Sequence, residues 1–239
     1  MNRVVQVTNV QKLYRLGRVD VRALRDVTLD IEHGGFVALA GPSGSGKTTL
    51  LNLIGCVDKP SAGRIVLDGV DVTGVPLHKL ASTRREMLGY VFQTFNLIPV
   101  LTAYENVEYP LLMNGVGRRQ RAAAVRHWLH AVGLDTVARH RPDQLSGGQR
   151  QRVAIARAMA GEPQLILADE PTANLDSDTG AQILDLMQRL NEETRRTFVF
   201  ATHDPAVMAR ATRVVHLRDG QIVQADEAAF ERELVAAGA

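Results

Sequence analysis

The sequence predicts an α/β fold: a mostly parallel sheet as the core, an antiparallel β layer beside it, and a helical insertion. Three observations predict it. Phe36 to Ala40, Leu165 to Ala168 and Phe198 to Ala201 are short, continuous apolar runs, as expected for strands buried on both faces of a parallel sheet. Asp68-Gly69 and Asp219-Gly220 each lie between apolar runs, which predicts hairpins over 65–72 and 214–223 and from them an antiparallel layer. From about Thr94 to Gly161 the chain turns alanine- and arginine-rich at helical spacing, which predicts helices inserted between core strands.

The bulk numbers suit one sizeable core. The chain has 239 residues, 45% hydrophobic and 23% charged, ordinary values for a globular protein. A net charge of +2 gives no sign of a nucleic-acid partner. Cys56 is the only cysteine, so no internal disulfide forms, which fits a reducing cytosol. No apolar run approaches the roughly 18–20 residues of a membrane span, and Met1 to Val10 lacks a signal-peptide core. Any membrane role is expected to come through a partner.

Along the chain, Phe36 to Ala40 runs into Gly41-Pro42-Ser43-Gly44-Ser45-Gly46-Lys47-Thr48, and Leu50 to Ile54 follows at helical spacing. Strand, glycine loop and helix in this order make a phosphate-binding device. Backbone N–H groups wrap the phosphates, and the helix N-terminus adds its partial charge. Lys47 is placed for the β- and γ-phosphates, Thr48 for Mg²⁺ and Thr49 for the nucleotide. Residues 118–132 and 149–160 read as helices of the insertion, and Arg118 to Arg121 as a solvated helix start. Ser146-Gly147-Gly148-Gln149 opens the second of these; it is either a simple N-cap or a second anion device. Leu165 to Ala168 ends at Asp169 and Glu170. Carboxylates there cap a helix or, beside a phosphate loop, hold Mg²⁺ through Asp169 and deprotonate an attacking water through Glu170. Residues 182–193 form an amphipathic helix with Ile183, Leu186, Met187 and Leu190 on one face. Residues 226–239 read as a short helix.

With Leu145-Ser146-Gly147-Gly148-Gln149, the phosphate loop and Asp169-Glu170-Pro171-Thr172 in this order, the chain resembles the nucleotide-binding subunit of ABC transporters over nearly its whole length. The resemblance implies a RecA-like core over 1–93 and 162–239 and a helical subdomain over 94–161. It implies that Tyr14 stacks on adenine, the other reading being an N-terminal core tyrosine. Gln93 would sense Mg²⁺ and the γ-phosphate, and His203 would contact the γ-phosphate. Ala173-Asn174-Leu175-Asp176 would form the loop where two subunits meet, Asp176 also serving as a helix N-cap. It further implies ATP and Mg²⁺ as ligands and a head-to-tail homodimer in which each ATP lies between the loop of one copy and the signature of the other. Glu170, His203 and Lys47 would then carry catalysis.

Residues 56–63, 92–99, 104–110 and 168–176 resemble the branch that includes macrolide exporters and lipoprotein-release systems. That branch implies a separate integral-membrane permease, with this chain on the cytoplasmic face of the membrane. Phe95, Leu97, Ile98 and Leu101 would either receive a permease helix or fill the core of the insertion. Gly34-Gly35 departs from the family's usual Gly-Glu and removes one surface charge. A soluble role in translation or repair is disfavoured, because the chain has no tandem cassette, zinc cysteines or long coiled coil. A division-associated or regulatory ATPase that drives a membrane partner without transport is the remaining alternative.

Overall fold

The computed structural model describes residues 3–17 and 19–223; the helix expected over 226–239 lies outside the described residues. Two sheets form the body. The smaller is antiparallel. Its long hairpin, β1 (Arg3–Leu16) and β2 (Val19–Glu32), is extended by β4 (Ala62–Leu67) and β5 (Val70–Asp71) in the order β2-β1-β4-β5. The larger has six strands: β3 (Phe36–Ala40), β6 (Leu88–Val91), β7 (Leu165–Asp169), β8 (Thr197–Thr202), β9 (Arg213–Arg218) and β10 (Gln221–Val223). Their order is β10-β9-β3-β8-β7-β6. All its pairings are parallel except that of β9 with β10.

The three apolar runs are thus β3, β7 and β8 at the sheet's centre. Both predicted hairpins form, as β4–β5 and β9–β10. The second corrects the sequence reading, because it does not join the antiparallel layer. β9 pairs parallel with β3 and carries the larger sheet outward. Turn chemistry specifies which strands are joined locally; the partner across the sheet is chosen by long-range packing.

Period-2 alternation divides the sheet's side chains between two cores. Leu165 and Leu167 of β7, with Val37 and Leu39 of β3, face helix α1 (Lys47–Ile54) and the antiparallel layer. Ile166 and Ala168, with Phe36, Phe198 and Phe200, face a cluster completed by α3 (Ala103–Met113), α4 (Arg118–Ala131), α5 (Gly147–Ala160) and α6 (Ser177–Thr194). Phe36 and Phe200 pack with ring centroids 4.5 Å apart. The helices start where caps allow. Thr102 and Glu105 close a capping box on α3, Ser146 and Gln149 one on α5, and Asp176 caps α6 by accepting from Thr179 N. Arg118, Arg119 and Gln120 form the exposed helix start expected, and Arg121 alone departs from it: its guanidinium donates to Glu108 Oε1 at 2.9 Å and to Val116 O at 2.7 Å, tying α4 to α3.

Register positions the site. Ala40 lies opposite Thr202, Asp169 opposite Ala201, and Val91 opposite Ala168. The loops leaving β3, β6, β7 and β8 therefore start along one edge, at the carboxyl ends of parallel strands, where ligands bind in such sheets.

Candidate functional site

At that edge lies a cavity of about 890 Å³ lined by Pro42, Ser43, Gly44, Gly46, Lys47, Thr48 and Thr49 from the glycine loop. Gln93, Asp169, Glu170 and His203 line it from the other strand ends, with Ala173 and Pro205, and residues 21–23 of β2 close one side. Gly46 begins α1 at φ +105°, and a Cβ there would sit 2.7 Å from Ala23 O. Any other residue would force the loop off β2. The turn between β9 and β10 braces the loop from beneath. Gly220 N donates to Ser45 O at 3.0 Å, and Gly220 O accepts from Arg25 N at 2.8 Å. The sequence reading passed over this support, for which the Asp219-Gly220 turn was the available signal.

Lys47 is 6% exposed. Its ammonium donates to Gly41 O at 2.7 Å and Pro42 O at 2.9 Å, folded back over its own loop. Burial pushes its pKa down, and the charges of Glu170 and Asp169 oppose the shift. Thr48 Oγ1 donates to Asp169 Oδ1 at 3.0 Å. Burial pushes the Asp169 carboxyl up; the Thr48 hydroxyl opposes this and the neighbouring Glu170 charge adds to it. A cation beside Asp169 would relieve both raising effects. The hydroxyl of Thr48, the carboxylate of Asp169 and the side-chain oxygen of Gln93 are hard oxygen donors that fit Mg²⁺.

Glu170 is held at both oxygens. His203 Nδ1 lies 2.6 Å from Oε1, and Thr202 Oγ1 donates to Oε2 at 3.3 Å. Thr202 Oγ1 also accepts from Asp204 N at 3.0 Å, and Asp204 Oδ2 accepts from Thr172 Oγ1 at 3.0 Å. Glu170 has φ +43°, a conformation that costs a side chain of this kind about 1–3 kcal/mol and concentrates at functional sites. His203, 62% exposed at its side chain, rests on Glu170 and still faces the cavity.

The remaining expected residues fall elsewhere. Gly41 and Ser45 form the loop's underside, Gly41 O receiving Lys47 and Ser45 O receiving Gly220. Tyr14 is half-buried and donates to Asp58 Oδ2 at 2.9 Å; it is not among the cavity's lining residues. Ser146, Gly147, Gly148 and Gln149 do not line the cavity either. Ser146 Oγ accepts from Gln149 N at 3.2 Å, and Gln149 Oε1 accepts from Ser146 N at 2.9 Å. A Cβ on Gly148 would sit 2.6 Å from Thr179 Cγ2, and one on Gly147 3.3 Å from Leu175 Cδ2, so the signature packs against the Asn174–Thr179 turn. Asn174 Nδ2 donates to Gln93 O at 2.9 Å, joining that turn to the Gln93 loop. Asp176 is an exposed N-cap. Phe95, Leu97, Ile98 and Leu101 are all half-buried, with Leu97 packed against the helical core. Arg157 grips this loop, donating to Asn96 O at 2.6 Å and Phe95 O at 2.9 Å. No described helix is long and apolar enough to cross a membrane.

Known proteins resemble this chain over most of its length. The family model described as ABC transporter matches residues 24–173. An ABC transporter ATP-binding protein of Thermotoga maritima is 46% identical over 222 residues, covering 93% of this chain and 94% of that protein. The macrolide export ATP-binding/permease protein MacB of Syntrophobacter fumaroxidans is 47% identical over 92% of this chain, which spans 31% of the relative's length. Among solved structures, the ATP-binding cassette MJ0796 of Methanocaldococcus jannaschii, in a dimeric post-hydrolysis state with ADP and Pi, matches with a TM-score of 0.84. It is 46% identical, and the match covers 92% of this chain and 97% of that one.

Proposed function

Because this chain belongs to the ABC transporter family as an ABC ATPase, we propose that it is the ATP-hydrolysing subunit of a transporter, acting as an ATP-bridged head-to-tail homodimer on a separate membrane permease. The observation that carries this reading is the separation of its two anion devices. The phosphate cavity is lined without any contribution from Ser146 to Gln149, so a signature that serves ATP must serve the ATP of another copy. The dimeric state of MJ0796 supports that arrangement. The MacB relatives, whose names join an ATP-binding part to a permease, support a permease partner of the export type. Such a partner would hold this chain at the cytoplasmic face of the membrane.

In this mechanism the glycine loop and the N-terminus of α1 cradle the phosphates, and Lys47 exchanges its bonds to Gly41 O and Pro42 O for phosphate oxygens. Thr48, Asp169 and Gln93 would hold Mg²⁺, which when bound would neutralise phosphate charge. Glu170 accepts a proton from the attacking water as the water oxygen bonds to the γ-phosphorus and the bond to the β-phosphate oxygen breaks. His203 orients Glu170 until nucleotide arrives and then contacts the γ-phosphate; Thr202 keeps the second carboxylate oxygen in place. Glu170→Gln retains the shape of the site but cannot accept the proton. Its turnover is expected to fall roughly 100-fold or more while ATP binding persists and a dimer accumulates on size-exclusion chromatography. Near-normal phosphate release by this variant would remove Glu170 from the role of base.

A further inference from the structure

Gln151, on the first turns of α5, is wholly buried. Its Nε2 donates to Pro171 O at 2.6 Å, and its Oε1 has no hydrogen-bond partner among the described residues. For the fold alone this is a costly side chain, since a buried amide with one unpaired end is worse than an apolar group of the same size. The one bond it makes goes to the residue that follows Glu170.

Glu170 needs such help. It is a non-glycine residue at φ +43°, and it precedes a proline, which pushes the preceding residue toward extended backbone. Its N–H donates to Ala201 O at 2.9 Å and its carbonyl accepts from Ala173 N at 3.2 Å. Neither bond fixes the peptide plane beyond Pro171, and Pro171 has no N–H with which to fix itself. The Gln151 amide does so from across the core. We propose that Gln151 is a positioning residue for Glu170, holding the turn that aims the carboxylate into the cavity. The signature helix of each chain is thereby linked to that chain's own catalytic carboxylate. This rests on Glu170 acting as the base, a role that the Glu170→Gln single variant tests separately.

The test uses the full chain with Gln151→Met, which fills the space without the amide, and Gln151→Asn, which keeps an amide that stops about 1.5 Å short of Pro171 O. Both are expected to lose roughly 10- to 100-fold in kcat, the effect of misplacing a catalytic group by an ångström or so. ATP affinity measured without Mg²⁺ should stay within about twofold, and the melting temperature of the Met variant should move by no more than about 4 °C. Added to Glu170→Gln, the Met substitution should change residual turnover less than about twofold, because residues acting through one group are non-additive. A kcat within twofold of the wild type, a full further loss in the Glu170→Gln background, or a parallel loss of ATP affinity would each overturn the proposal. So would insolubility of both variants, which would make Gln151 a residue of the fold alone.

Discussion

Lys47 reads as a charge stored in place. Buried at 6% exposure and bonded to Gly41 O and Pro42 O, it pre-forms the loop and neutralises part of the field of Asp169 and Glu170. Nucleotide phosphates are better acceptors than two neutral carbonyls, because charge-assisted hydrogen bonds are roughly twice as strong as neutral ones. Loss of such a bond costs about 1.5–3 kcal/mol, so Lys47→Met is expected to weaken ATP binding roughly 10- to 100-fold. Displacement of a fluorescent ATP analogue reads this directly, and an affinity within twofold of the wild type would mean that Lys47 only supports the loop. That Glu170, Asp169, Lys47 and Thr48 would line one cavity was legible in the sequence, because residue type and spacing put them at strand ends and on a glycine loop. Gln151, Arg157 and Gly220 were not legible in this way. Each acts through a backbone group far along the chain: Pro171 O, the carbonyls of Phe95 and Asn96, and Ser45 O with Arg25 N. The Asp219-Gly220 pair signalled a turn, but no local pattern records which distant backbone group each of these residues meets.

At the level of elements, β3, β7 and β8 were legible because burial on both faces makes their apolar runs continuous. β6, only Leu88 to Val91 and carrying Gly89, has too short a run to be distinguished from helix or loop. The β1–β2 hairpin is broken by register shifts, which interrupt strict alternation. The β4–β5 hairpin offers a pH-dependent test. The side chain and N–H of Thr73 and the guanidinium of Arg64 hold the Asp71 carboxyl down to about 2, against about 3.9 in an unfolded chain. A depressed folded-state pKa contributes stability above the unfolded value and loses it as pH falls through the folded one. Asp71→Asn should therefore show a melting-temperature deficit at neutral pH that narrows between about pH 4 and about pH 2. A deficit of the same size at every pH would assign the loss to Thr73 and Arg64 geometry rather than to the charge.

For the whole molecule, the fold places the cavity lined by the glycine loop at one sheet edge and leaves the signature outside it, capping α5 against the Asn174–Thr179 turn. In the proposed dimer Ser146 has two tasks: it caps its own helix, and it offers a hydroxyl to the partner's ATP. Two substitutions separate them. Ser146→Ala removes both and should cost about 1 kcal/mol of stability through the lost cap. Ser146→Asp keeps a good cap but sets a negative charge against phosphate. Stability should therefore fall for Ala and hold for Asp. Turnover should fall for both and further for Asp, while ATP affinity of the dilute single chain stays within about twofold for each, a change worth under ~0.5 kcal/mol. In the Glu170→Gln background, ATP should drive the wild-type signature into dimers at protein concentrations where the Asp variant remains monomeric. Parallel loss of turnover and of single-chain ATP binding would place the signature in the same chain's site, against the separation of the two devices. Turnover that tracked stability, with Asp near wild type, would reduce Ser146 to a cap.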